Sequence, residues 1–195
     1  FKRKNSEGDR VEIEGAERQA VLDAIAADPK LHLIKGDAEA EALLAEFSSK
    51  VDELKAAKIG NVSEDLCLER IPGQGKSKLC DVSQTSAYGS DISNLVSHAF
   101  RDMARTSDIA IQNAGGVRVD VPAGDFTIGD AYKLLPFSNT LVELEMSGEE
   151  IKNVLEDALD YALNPDGSTG AYPYAAGVRW HVDVSKYKGS CFTEL

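Results

Sequence analysis

The sequence predicts an α+β fold, a mixed β-sheet with flanking helices preceded by a long connector helix. Three observations predict it. Helical periods and strand-like alternations follow one another without a strict strand-helix-strand repeat, which argues against a doubly wound parallel sheet. Of the 195 residues, 43% are apolar and 28% charged, the ordinary mixture of a chain that buries a core rather than a disordered, collagenous or disulfide-packed one. The longest helical pattern, residues 37–58, precedes most of the apolar sequence, so one compact domain plus an appendage is expected rather than two equal domains.

Ala20, Val21, Ala24 and Ile25 recur at helical spacing over residues 17–28, and the Asp28-Pro29 pair stops the helix. Leu31 to Ile34 reads as a short extended piece. Asp37 is the expected N-cap of the helix over 37–58, in which Leu43, Leu44, Phe47, Val51 and Leu54 repeat at three and four before the basic Lys55 and Lys58 and then Gly60. That helix reads either as a connector between domains or as an ordinary surface helix. Asn61 to Arg70 alternates through Val62, Leu66 and Leu68 as a strand until Pro72, Gly73 and Gly75 break it. Ser90 caps a helix expected to bury Ile92, Leu95, Val96, Ala99, Phe100 and Met103 on one face. Asp108 to Ile111 is a buried strand entering a turn at Asn113 to Gly116. Thr127 caps a short helix to about Leu134, and Thr140 to Met146 alternates as a strand. Ser147 and Glu150 form a capping box for a helix through Leu163, and Gly177 to Val184 is the last clear strand.

Charge narrows the partners. Lys and Arg total 21 against 33 Asp and Glu, a net charge of −12 that repels nucleic acid and anionic membranes, so neither is an expected partner. An anionic ligand would need a few well-placed cations. No apolar run approaches the roughly 20 residues of a membrane-spanning helix. Cys67, Cys80 and Cys191 permit one internal disulfide, and Cys67 with Cys80 either pair in an oxidising compartment or sit as small buried hydrophobes.

The histidines at 32, 98 and 181 stand apart from one another and from carboxylates at metal spacing, so no metal site is expected in this chain. No Gly-flanked nucleophilic Ser or reactive Cys motif is present, so no catalytic residue is expected either. Gly73-Gln74-Gly75-Lys76-Ser77 resembles the end of a P-loop, but the required first Gly falls on Arg70, and the segment reads as a solvated turn. Three clusters suit a ligand better. Asn113-Ala114-Gly115-Gly116-Val117-Arg118 combines glycines that admit a close ligand, an amide that donates and accepts, and a guanidinium fork matched to phosphate or ribose oxygens. Leu134-Leu135-Pro136-Phe137-Ser138-Asn139 sets an aromatic after a rigid Pro and an amide two positions later. Ser168-Thr169-Gly170-Ala171-Tyr172-Pro173 is a Gly- and aromatic-rich loop.

DIAIQNAGGVR, PAGDFTIGDAYKLLPFSNTLVELEMSGEEIKNVLEDAL and STGAYPYAAGVRWHVDVSK, in this order and spacing, resemble the C-terminal substrate-binding domain of the 5'-nucleotidase family over about residues 37–185. SEDLCLERIPG followed by SDISNLV is most similar to its bacterial NAD nucleotidase branch. The resemblance implies that residues 1–36 are the last stretch of an N-terminal metallophosphoesterase domain, that 37–58 is the interdomain connector, and that 59–195 is a nucleotide-binding domain truncated at its C-terminus. It implies two divalent metal ions in the N-terminal domain and none held here, so this chain alone is expected to be inactive. The implied partners are that domain in cis and a nucleotide substrate: AMP, other nucleoside monophosphates or NAD. The implied location is periplasmic or extracellular. Carried over by position, Arg70 and Arg118 face phosphate or ribose and Asn113 contacts substrate beside Gly115 and Gly116. Phe137 forms one face of a clamp around the base, Asn139 is the nearby amide, and Gly170 lies at the base edge. The alternatives are a stand-alone nucleotide-binding module without catalysis, or a structural domain that keeps the motif.

Overall fold

The computed structural model describes residues 1–6, 9–34, 36–186 and 192–194. The chain divides into two compact units, Phe1–Lys50 and Val51–Leu195. In the first, β1 (Lys2–Lys4) pairs antiparallel with β2 (Arg10–Glu12), and α1 (Gly15–Ala27) follows without burying a residue. α2 (Ala38–Ala56) runs across the division; the Asp37 carboxylate accepts from the backbone of Glu39 and Ala40, the cap its sequence predicts. The apolar stripe of α2 is exposed, including Leu43, Leu44 and Phe47.

The second unit is an α+β fold of helices and small sheets. β3 (Lys58–Val62) pairs with β5 (Gly124–Thr127), β4 (Ala110–Asn113) with β6 (Pro173–Ala176), and β7 (His181–Val182) with β8 (Phe192–Glu194). Every described pairing is antiparallel, so the expected mixed sheet is resolved into separate two-stranded ladders. α3 (Val82–Thr85), α4 (Asp91–Ala104), α5 (Ile128–Leu134) and α6 (Gly148–Leu163) complete the unit. Asp81, Thr127 and Ser147 each begin a helix with a full capping box, and Ser90 caps α4 by accepting from Ser93 N.

Several expectations are corrected. The strand over 61–70 ends at Val62 and resumes only as a single Leu66–Val121 bridge. Side chains take the hydrogens that a ladder would use: Cys67 N donates to Asp91 Oδ2 at 3.3 Å and Leu68 N to Asp120 Oδ1 at 2.6 Å. Thr140 to Met146 and Leu31 to Ile34 form no strand, and alternation without a neighbouring ladder does not make one. Of the strand expected over Gly177 to Val184 only β7 forms, and β6, ending just before Gly177 at φ +83°, is a strand the sequence reading did not expect. α4 buries Ile92, Ser93, Val96 and Ser97, while Leu95 and Met103 are exposed. Small serines let this helix lie close to β4 and β6, and their hydroxyls are satisfied locally, Ser97 Oγ donating to Ser93 O at 2.9 Å.

Two cores result. Leu68, Ile92, Val96, Val117, Val121 and Leu134 form one; Leu155 and Leu159 of α6, with Ile151, Tyr172, Trp180 and Val182, form the other. Cys67 and Cys80 are joined by a disulfide.

Candidate functional site

The segment Leu66–Arg70 brings Arg70 out beside the buried Cys67, Leu68 and Glu69. Its Nη1 donates to Thr169 Oγ1 at 3.4 Å. β4 ends at Asn113, and the chain then turns through a short 3₁₀ helix, Ala114–Gly116, whose buried Ala114 and Gly116 anchor it. Asn113 Nδ2 donates to the Gly170 carbonyl at 3.2 Å, so this amide joins the glycine turn to the second 3₁₀ turn, Thr169–Ala171. Gly115 and Gly170 meet backbone to backbone: a Cβ on Gly115 would stand 3.1 Å from the Gly170 Cα, and a Cβ on Gly170 3.3 Å from the Gly115 Cα. Arg118 N donates to the Leu134 carbonyl, its Nη1 donates to the Gly115 carbonyl at 3.2 Å, and its guanidinium lies over the Phe137 ring, 5.8 Å from the centroid.

These elements border an open cavity of about 540 Å³, within the volume range of small-molecule pockets. All of the binding residues expected from the sequence line it: Arg70, Asn113, Gly115, Gly116, Arg118, Phe137, Asn139 and Gly170. Phe137 is 53% exposed, so its ring is presented rather than buried. Tyr161, Ser168 and Ala171 complete the lining. Ser168 and Ala171 belong to a loop that the sequence marks as a cluster without singling them out. Tyr161 was missed; its signal is a large aromatic in the last turn of α6, off the stripe of Leu155, Leu159 and Ala162 that is buried.

Among the described residues no acidic side chain lines the cavity. Among the described residues, no carboxylate lies within ion-pair distance of Arg70 or Arg118. In a chain of net charge −12 this leaves two guanidinium groups available to an anion. A larger adjoining hollow of about 710 Å³ shares Gly116, Phe137 and Asn139 but is lined otherwise by Phe100, Met103, Ile111, Leu141 and other uncharged residues. Among the described residues its walls carry no charge, so of the two it is the smaller that offers cations to an anion. After the Thr169–Ala171 turn Tyr172 packs against Tyr174 at 5.3 Å between centroids; burial pushes the Tyr172 phenol up to about 12 and raises that of Tyr174 also, so both stay neutral at physiological pH. The Tyr174 hydroxyl accepts from Ser90 N. Among the described residues no group of three His, Cys, Asp or Glu side chains is placed to hold a metal ion, so the residues present do not fit a two-metal centre.

The chain is similar to known proteins in both sequence and fold. It is 36% identical over 180 residues to an NAD 5'-nucleotidase of Haemophilus influenzae, covering 92% of this chain and 29% of that protein. It is 37% identical over 188 residues to a probable 5'-nucleotidase of Treponema pallidum, covering 92% of this chain and 30% of that one. The solved structure of the H. influenzae NAD nucleotidase superposes with a TM-score of 0.63 at 35% identity, covering 98% of this chain and 33% of that chain. A 5'-nucleotidase precursor from Thermus thermophilus gives a TM-score of 0.62 at 30% identity, covering 78% of this chain and 27% of that chain. The chain thus spans less than a third of the length of the curated relatives it matches. Residues 58–195 match the family model described as the 5'-nucleotidase C-terminal domain, so the chain belongs to the 5'-nucleotidase family and carries its C-terminal domain.

Proposed function

We propose that this chain is the nucleoside-recognising, substrate-binding domain of a metal-dependent 5'-nucleotidase or NAD nucleotidase, an enzyme that hydrolyses phosphate ester or pyrophosphate bonds of nucleotides. The observation that carries this reading is the cavity itself, where two arginines with no carboxylate partner among the described residues stand beside an exposed phenyl ring and a floor of glycine backbone. Arg70 and Arg118 take phosphate or ribose oxygens through forked, charge-assisted hydrogen bonds. Phe137 offers a face on which a base stacks, and the Asn139 amide lies on the same cavity wall to read a base edge. Gly115, Gly116 and Gly170 keep the floor free of side chains, and Asn113 both lines the cavity and locks its two turns together.

In this reading the domain contributes binding and orientation, which lowers the entropic part of the barrier to attack on phosphorus. Two divalent metal ions held by an N-terminal metallophosphoesterase domain supply the activated water. This chain alone is expected to be inactive. Its Cys67–Cys80 disulfide supports a periplasmic or extracellular location, where such bonds persist.

The test is titration of the isotopically labelled chain with AMP, UMP, NAD and ribose 5-phosphate, followed by backbone amide shifts. Saturable shifts at Arg70, Gly115, Gly116, Arg118 and Gly170 are expected, larger for nucleotides than for the sugar phosphate. Shifts scattered over the surface, or none at millimolar ligand, would defeat the assignment of this cavity. Chelator-sensitive turnover of AMP or NAD by the repurified chain would show that the metal centre is misplaced.

A further inference from the structure

The loop Gly73–Lys78 begins three residues after Arg70 and is held by carboxylates that no binding role accounts for. Glu69 is wholly buried, and both its oxygens are engaged: Oε2 accepts from Gly75 N at 2.8 Å and from Thr85 Oγ1 at 3.0 Å, and Oε1 accepts from Lys76 N at 2.9 Å. Asp120 is half-buried and grips the next two residues, Oδ1 accepting from Ser77 Oγ at 2.7 Å and Oδ2 from Lys78 N at 2.9 Å. Its Oδ1 also takes Leu68 N at 2.6 Å. Gly75 supplies the left-handed turn, at φ +75°, that aims successive N–H groups inward. The result is a nest of backbone donors of the sort that elsewhere holds a phosphate, here filled from within by the protein's own carboxylates.

The position of those carboxylates gives the nest a purpose. Glu69 immediately precedes Arg70, and Asp120 follows Arg118 by two residues. Since Asp120 also binds the backbone of Leu68, one loop and two carboxylates tie together the two segments that carry the cavity's cations. Burying a carboxylate is costly unless its lone pairs are satisfied, and here they are satisfied by the loop that follows Arg70 and, through Asp120, by the segment that leads to it. We propose that Glu69 and Asp120 are positioning residues: by gripping Gly75–Lys78 from two sides they fix the backbone under Arg70 and Arg118, so that the two guanidinium groups face the same anion. This rests on the substrate-binding reading above and adds to it the device that holds the anion site in shape.

Glu69→Gln and Asp120→Asn keep size and shape but set an amide NH₂ against a backbone N–H, donor against donor. Two readouts on the chain decide the matter. The first needs no ligand: in the ¹⁵N spectrum of arginine side chains, the Nε–H signals of Arg70 and Arg118 should stand apart from the solvent-averaged envelope in the parent chain. The Arg70 signal should move into the envelope in Glu69→Gln, and both should do so in Asp120→Asn, while methyl signals of the α6 core stay in place. Arginine signals unmoved in either folded variant would overturn the proposal. The second readout compares AMP with adenosine. Each variant should weaken AMP by about tenfold and leave adenosine within about twofold, and Glu69→Gln should add little once Arg70 is already Ala. Equal losses for both ligands would mean a general structural role and would also overturn it. If the parent chain holds AMP no better than adenosine, the substrate-binding reading fails, and the arginine spectra still decide the positioning role. Should Glu69→Gln not fold, Asp120→Asn and Ser77→Ala probe the same grip from its half-buried side.

Discussion

Two irregular segments, Pro72–Asp81 and Ser138–Met146, are held in opposite ways. The first has hardly any secondary structure, yet a disulfide closes it, two carboxylates fill its N–H groups, and Asp81 caps the helix that follows. The second has strong strand-like alternation, yet among the described residues no backbone hydrogen bond joins it to another segment. Among the described residues its side-chain hydrogen bond to another segment is Thr106 Oγ1 donating to Glu143 Oε2 at 2.8 Å, and Val142 and Leu144 are each 74% exposed. Polar staples from buried side chains fix irregular backbone without help from a ladder, whereas an apolar alternation with no strand beside it makes no ladder of its own.

Core truncation should widen the contrast most. Leu155→Ala, at a fully buried position, should lower stability by about 2–5 kcal/mol, while Leu144→Ala should change it by no more than about 0.5 kcal/mol; urea unfolding of the two variants measures the gap. A large loss at Leu144 would show that the second segment is packed after all. Next in size is the staple itself: replacing Cys67 and Cys80 with Ser should cost about 3 kcal/mol through the freed loop, seen as a lower urea midpoint that reductant no longer affects.

Phe137→Ala tests the presented ring at the start of the second segment. Stability should hardly change, and nucleotide affinity should fall by about 1–3 kcal/mol, alike for purine and pyrimidine. Calorimetry with AMP, UMP and ribose 5-phosphate checks it, and equal losses with and without a base would return Phe137 to a packing role. Ser147→Ala, at the far end of the segment, should cost about 1 kcal/mol by removing the cap of α6.

The smallest effect is acid sensitivity. Hydrogen bonds from Ser147 hold the Glu150 carboxyl below its ordinary value of 4.5, and those from Thr127 and Lys133 hold Asp130 below 3.8. A carboxylate lowered by folding stabilises the native state fully above its unfolded pKa and loses that contribution as pH falls through the folded value. Melting temperature should therefore be flat from pH 7 to about 5 and decline below about 4.5, with a shallower decline in Ser147→Ala.

The sequence was legible where a signal is local. Ser90, Thr127 and Ser147 cap their helices as read, because a cap needs only residues within three positions of one another. The residues placed around a ligand converge on one cavity because the loops that carry them have distinctive chemistry of their own. What stayed hidden is set by distant partners. That Asp91 and Asp120 would take the hydrogens of a predicted strand depends on contacts 24 and 52 residues apart. Tyr161 joined the cavity only because α6 ends beside the Thr169–Ala171 turn. The burial of Ser93 and Ser97 in preference to Leu95 follows from how closely α4 approaches the ladder it covers.

The contact of Gly115 with Gly170 bears on how such a pocket can change over time. A carbon added to either glycine would press on the main chain of the other at 3.1–3.3 Å, closer than side chains ordinarily stand, so the two turns would have to give by a few tenths of an ångström. The floor resists drift, since even alanine there crowds the facing turn. Phe137, Asn139 and Tyr161 stand on the exposed rim, where a replacement displaces nothing but water. Divergence among descendants of this chain, or a library built to alter what it accepts, should accumulate at the rim while the floor stays fixed.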